Sequence, residues 1–323
     1  MESGFERWRR RALTIPLYVV GWALSLLVAP FAALALALGA GVVARLALFA
    51  AVFLSYEMAG LAAALWLWVT GRARDEAAHA RLQRWWACGL FREAARIFRL
   101  ELEVTGDESV APGPVVVLIR HASLADTLLP EVVLAARHAL RVRYVLKREL
   151  LLDPCIDVVG QRLRCAFIRR GSGEGARELL AIAELGRELG PHDAALIYPE
   201  GTRVTPEKQR RALERLAASA TAERVTRARG LRHLLPPRTS GPLALVEAAA
   251  PADVLWLAHT GLEGLATLRD VLTGGIVGRH IQVRLWRTPR SVIPVEREAA
   301  VRWLDEEWVR MDGWIHAVRK GDS

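Results

Sequence analysis

A histidine stands five residues before an aspartate in Arg120-His121-Ala122-Ser123-Leu124-Ala125-Asp126, directly after the apolar run Val115–Ile119. On a regular helix that spacing separates the two side chains by about 140°. They can meet if His121 sits in the turn that ends a strand and Asp126 in the first turn of the next helix. There, an ionised Asp126 holds one imidazole nitrogen and leaves the other to take a proton. A second group, Tyr198-Pro199-Glu200-Gly201-Thr202-Arg203, ends the run Ala194–Tyr198. Gly201 lets the backbone approach a ligand closely, Thr202 offers a hydroxyl, and Arg203 is a two-pronged donor suited to phosphate. Standing alone, this stretch reads equally as a solvated turn with an exposed arginine. A third group, Phe167-Ile168-Arg169-Arg170, runs into Gly171-Ser172-Gly173-Glu174-Gly175. Two arginines before a glycine turn and a helix start outline an anion site. No Gly-Lys-Ser/Thr follows, so these glycines do not form a Walker loop.

The elements that must position these residues alternate in type. Short apolar or β-branched runs stand at Leu102–Val104, Val115–Ile119, Val142–Leu146, Cys165–Arg169, Ala194–Tyr198, Val254–Ala258 and Ile281–Trp286. Helix-like stretches lie between several of them, such as Glu174–Leu189 with Leu179, Leu180, Ile182, Leu185 and Leu189. This predicts an α/β domain with a mostly parallel or mixed sheet flanked by helices. In such sheets, loops beyond the carboxyl ends of strands bind ligands, and both the His–Asp and Glu-Gly-Thr-Arg groups occupy such loops. A charged insert at 204–232 carries ten charged residues between Val204 and Gly230, and Val295–Arg319 has the apolar spacing of a closing helix.

The chain has 323 residues, 52% of them hydrophobic, a mean hydropathy of +0.19 and a net charge of +9. The apolar fraction excludes a disordered chain, and three cysteines exclude a disulfide scaffold. A nucleic-acid binder accounts for the basicity but not for the apolar excess. That excess lies at the front: Leu13 to Ala44 contains no charged residue, and Leu46 to Gly71 only Glu57. A bilayer core takes about 20 helical residues, so the stretch predicts two membrane helices, near 14–38 and 46–70. Residues 1–72 thus read as a hairpin anchor, 73–100 as an interfacial amphipathic segment, and 101–323 as the domain that carries the chemistry. Arg7, Arg9, Arg10 and Arg11 before the hairpin and Arg72 and Arg74 after it place both ends in the cytoplasm. These arginines are expected to face lipid headgroups. Glu57 is expected to be protonated, or bonded across the hairpin to Ser55, Tyr18 or Ser25.

In order and spacing, the three groups together resemble the glycerolipid acyltransferase family. His121…Asp126 matches its H-x4-D motif, and Glu200-Gly201-Thr202-Arg203 its E-G-T-R motif. Lys147-Arg148-Glu149-Leu150 resembles the segment that precedes Phe-Ile-Asp-Arg in the family, where this chain has Phe167-Ile168-Arg169-Arg170 and so an arginine in place of the usual aspartate. The resemblance covers residues 7 to about 290. Leu235-Pro236-Pro237-Arg238-Thr239-Ser240-Gly241 is similar to the longer members, bacterial inner-membrane and eukaryotic.

This resemblance implies a fatty acyl transfer from acyl-CoA or acyl carrier protein to the sn-2 hydroxyl of lysophosphatidic acid, giving phosphatidic acid. His121 acts as general base and Asp126 orients it. Arg203, Arg170 and Lys147 hold the acceptor phosphate, while Glu200, Gly201 and Thr202 contact the glycerol or order the loop. The donor is a substrate, and neither cofactor nor metal is implied. The implied partners are membrane lipids, the lysophospholipid acceptor and the acyl donor, with no nucleic acid. The implied location is the bacterial inner membrane, with the catalytic domain in the cytoplasm. Other acceptors compatible with the motifs are lysophosphatidylglycerol, lysocardiolipin and a lyso-aminolipid. A membrane lipid hydrolase is disfavoured, because no Gly-x-Ser-x-Gly elbow is present. His259 and His280 read as strand-end packing, and Cys88, Cys155 and Cys165 lack metal spacing.

Overall fold

The computed structural model of the chain describes residues 3–123, 125–168, 175–265 and 268–321. Its N-terminal part is three long helices: α1 (Gly4–Ala37), α2 (Val42–Val69) and α3 (Glu76–Phe98). α1 begins well before the uncharged stretch, because Ser3 and Glu6 form a reciprocal capping box that starts the helix among charged residues. Pro16 and Pro30 both lie within it. α3 starts at Asp75, whose side chain accepts the Ala78 N–H.

α1 and α2 are long and apolar enough to cross a membrane. Large apolar side chains along α1, among them Leu13, Leu17, Leu24, Leu27 and Phe31, are exposed. α2 differs, since Leu46, Phe49 and Val52 pack against the folded domain.

Two polar ties anchor this hairpin, and each replaces an expected contact. Arg10 and Arg11 do not point to headgroups: they donate to the buried carboxylate of Asp157, at 2.7 and 2.9 Å. Glu57 does not bond within the hairpin either. Its carboxylate accepts Trp86 Nε1–H of α3 at 2.8 Å and the Cys155 N–H at 3.2 Å. Ser55 and Ser25 are occupied instead with Trp22 and Ala51. Gly60 allows the close approach, because a Cβ there would lie 2.6 Å from Cys155 Sγ.

The segment 73–100 contains α3, which buries Ala87, Leu90, Phe91, Ile97 and Phe98 and leaves Trp85 exposed. Beyond it lie α4 (Ala136–His138), α5 (Pro154–Gly160), α6 (Gly175–Gly186), α7 (Pro206–Ala217), α8 (Ala222–Arg229), α9 (Ser240–Ala248), α10 (Leu268–Leu272) and α11 (Arg297–Lys320). The charged insert is therefore the helix pair α7–α8.

Among the described residues seven strands form one sheet: β1 (Glu101–Thr105), β2 (Val115–Ile119), β3 (Arg141–Lys147), β4 (Ala166–Ile168), β5 (Asp193–Ile197), β6 (Asp253–Thr260) and β7 (His280–Thr288). The order is β1-β7-β6-β2-β5-β3-β4, and only the β6–β7 pair is antiparallel. β2 and β5 are buried at every residue, which explains their unbroken apolar runs: both sheet faces are covered. One face carries Val116, Leu118, Ile197 and Trp256 under α6, α9 and α11. The other carries Val117, Ile119, Leu196 and Tyr198 against the side of α3. The parallel neighbours β2 and β5 end together, so the loops after Ile119 and after Ile197 emerge side by side.

Candidate active site

After β2 the chain turns, and His121 Nδ1 lies 3.2 and 3.3 Å from the two oxygens of Asp126. Asp126 is fully buried in a 3-10 turn, Ala125–Leu128, rather than in the first turn of an α-helix. Its Oδ2 also accepts the N–H groups of Ala122 and Ser123 at 2.6 and 2.8 Å. One carboxylate thus orients the imidazole and shapes the loop that carries it.

The loop after β5 supports the same histidine from the other side. Gly201 N–H closes a turn onto Tyr198 O at 3.0 Å, with Pro199 in the position that favours its fixed φ, and Gly201 itself has φ +71°. This turn aims Glu200 inward. One Glu200 oxygen accepts the backbone N–H of His121 at 2.6 Å, and the other that of Leu235 at 2.9 Å. Both oxygens thus accept backbone N–H groups, which ties the two loops together. Thr202 Oγ1 accepts Lys208 Nζ–H at 3.0 Å.

A further layer fixes those supports. Asp312 on α11 accepts the N–H groups of Arg232, His233 and Leu234, and Trp308 Nε1–H donates to Leu235 O at 2.9 Å. Arg120, buried beside His121, donates to His259 O and to Glu263, each at 2.6 Å. Burial pushes the Glu263 carboxyl up, but the Arg120 guanidinium overrides it and holds the group down at about 2. His259 Nε2 lies 3.2 Å from Arg120 O and 3.8 Å from Asp126, and burial lowers that imidazole to about 4, so it is neutral at pH 7.

Residues 101–246 match the family model described as Acyltransferase, a span that contains both loops. This stretch of the chain is thus an acyltransferase domain. Among curated proteins none matches it in sequence. Among solved structures it is similar to the 1-acyl-sn-glycerophosphate (LPA) acyltransferase PlsC from Thermotoga maritima. The identity is 14% and the TM-score 0.48, covering 81% of this chain and 98% of that one.

In this acyltransferase a cavity of about 210 Å³ opens beside the His–Asp pair. His121, Tyr198, Arg203 and Lys147 line it together, so the two loops and the end of β3 converge on one space. Its other walls are mostly apolar: Leu82 and Trp86 of α3, Leu128, Val145, Val159 of α5, and Gly60 of α2. Polar residues interrupt them, among them Gln83, Thr127, Glu131 and Tyr144. Glu131, in a π-helical turn at Glu131–Ala135, accepts Tyr144 O–H at 3.0 Å and also a Gln83 amide N–H. Burial pushes the Glu131 carboxyl up to about 7, against those two hydrogen bonds.

The remaining candidates divide plainly. Arg169 and Arg170 lie outside the described residues. Lys147 reaches the cavity, whereas Glu200 and Asp126 support it from behind. Among the described residues no group of His, Cys, Asp or Glu is arranged to hold a metal. Cys155 borders the cavity, but burial raises its thiol, so it is no thiolate nucleophile. His280 pairs with Glu103 at the exposed start of β7.

Sequence reasoning missed Tyr198, Glu131, Gln83 and Tyr144. Tyr198 directly precedes Pro199-Glu200 at a strand end, a position that signals proximity. Glu131, the single charge within Thr127–Ala136, was legible as a polar interruption of an apolar run.

Proposed function

We propose that this enzyme transfers a fatty acyl group from a thioester donor, acyl-CoA or acyl carrier protein, to the sn-2 hydroxyl of lysophosphatidic acid. Phosphatidic acid and a free thiol are the products. The observation that carries the reading is the pairing of His121 Nδ1 with Asp126 at 3.2 Å, on a cavity that Arg203 and Lys147 also line and whose walls are mostly apolar.

With Nδ1–H given to Asp126, His121 Nε2 is left to take the proton of the acceptor hydroxyl. The oxygen attacks the thioester carbonyl, and the tetrahedral intermediate collapses with loss of thiolate. The imidazolium returns its proton to that thiolate. Arg203, with Lys147 and Arg170, binds the acceptor phosphate. The apolar walls take the acyl chain. The hairpin lies in the bacterial inner membrane, from which both greasy substrates enter laterally, and the domain faces the cytoplasm.

The test is acyl transfer by the purified full-length protein against lysophosphatidic acid, lysophosphatidylglycerol, lysocardiolipin and a lyso-aminolipid, with coenzyme A and carrier-protein donors compared. Preference for lysophosphatidic acid is expected. Preference for a lysolipid without a phosphomonoester overturns the acceptor assignment, and thioester turnover that needs no lipid acceptor identifies a hydrolase.

A further inference from the structure

Tyr198 stands at the end of β5, 8% exposed, and its ring centroid lies 4.8 Å from that of His121. It lines the same cavity as His121, Arg203 and Lys147. Among the described residues nothing hydrogen-bonds its buried hydroxyl. Leaving such a group unpaired is costly, and a phenylalanine would avoid that cost while filling the same space.

Acyl transfer places negative charge on the thioester carbonyl oxygen, and a preformed donor aimed at that oxygen is the usual remedy. Backbone amides often serve, but here those beside the histidine are committed. His121 N–H donates to Glu200, Ala122 and Ser123 N–H to Asp126, and Ala125 N–H to Ser123 Oγ. Gly201 N–H closes its own turn onto Tyr198 O. At these five positions the loops hold the base with their own donors.

The geometry points to Tyr198 as a catalytic residue whose phenolic O–H donates to the carbonyl oxygen of the acyl thioester and to the oxyanion that forms there, an assignment that rests on the acyl-transfer reading above. As the acceptor oxygen bonds to the carbonyl carbon, its proton passes to His121 and the carbonyl π pair moves onto the oxygen facing Tyr198. As that pair returns, the C–S bond breaks and the thiolate takes the proton from His121. Tyr198 keeps its own proton throughout. Burial, reinforced by the nearby Asp126 charge, holds the phenol well above its ordinary titration range, so it is a neutral donor at every working pH.

The test sets Tyr198→Phe beside His121→Ala in the purified full-length enzyme, with steady-state kinetics and thermal unfolding for each. Tyr198→Phe is expected to lower kcat about 100-fold, the usual scale for loss of one oxyanion donor. KM for donor and lysolipid should stay within about twofold, and the unfolding midpoint should not fall, because the deleted hydroxyl has no partner among the described residues. A kcat within about twofold of the parent, with His121→Ala inactive, overturns the assignment and leaves the acyl-transfer reading standing. So does a loss of activity that tracks a lowered unfolding midpoint, which would mark a structural hydroxyl. An active His121→Ala enzyme instead removes the underlying reading.

Discussion

Glu200 accepts the backbone N–H of His121 at 2.6 Å, although the two residues lie on different loops after parallel strands β5 and β2. The same carboxylate accepts the Leu235 N–H, and Leu235 is in turn held by Trp308 of the closing helix. The position of the base is therefore set by contacts from three distant parts of the chain.

Glu200→Ala strands two buried N–H groups, each costing about 1–3 kcal/mol. We expect a lowered unfolding midpoint together with a fall in kcat of at least tenfold, measured on the same preparation. Glu200→Gln, which keeps one acceptor oxygen, should fall between the variant and the parent in both measurements.

Asp126→Asn tests the orientation of the imidazole separately from the shape of the loop. An Asn oxygen can still accept the N–H groups of Ala122 and Ser123 at the Oδ2 position, so the fold should persist. Its amide then donates towards His121 Nδ1 and drives the ring proton to Nε2, where the base must be bare. The expected result is a 10²–10⁴-fold loss of kcat with little change in unfolding temperature. A large loss of stability would instead assign Asp126 mainly to the loop.

Arg203 lines the cavity mouth with His121, and Arg203→Ala should act on acceptor binding. The expected change is a KM for lysophosphatidic acid raised about tenfold or more, with a smaller effect on the acyl donor. An unchanged acceptor KM takes Arg203 out of the phosphate site.

Glu131 predicts a pH dependence of stability. Its carboxyl is pushed from the ordinary 4.5 up to about 7, so between those values the folded chain retains a proton that the unfolded chain has lost. Stability from this group is full below about pH 4.5 and is lost as pH rises through about 7, by at most about 3 kcal/mol. Glu131→Gln should flatten that portion of the stability curve, as measured by thermal unfolding across the range. An unchanged curve would show that Glu131 is ionised in the folded state.

All seven strands coincide with the apolar runs of the sequence: β2 and β5, covered on both faces, are unbroken apolar stretches, whereas β1 alternates half-buried apolar residues with exposed ones. The His–Asp pair was legible for a different reason: a spacing that a strand-to-turn junction can bring together also resembles the H-x4-D motif. What the sequence withheld was long-range pairing. Asp157 faces Arg10 and Arg11, and Glu57 reaches Trp86 and Cys155, across separations that no local periodicity encodes. The cavity wall was equally hidden, since Gln83, Glu131 and Tyr144 come from α3, a π-turn and β3 and share a space only after folding.

The most direct measurement is acyl transfer by His121→Ala in membranes, with expression and membrane insertion checked in parallel. The imidazole sits at the cavity wall with its Nδ1 held by a buried carboxylate, so removing it should abolish transfer while the protein accumulates and inserts as the parent does. Transfer at the parent rate by His121→Ala would contradict the assignment of this histidine as the base, and with it the mechanism.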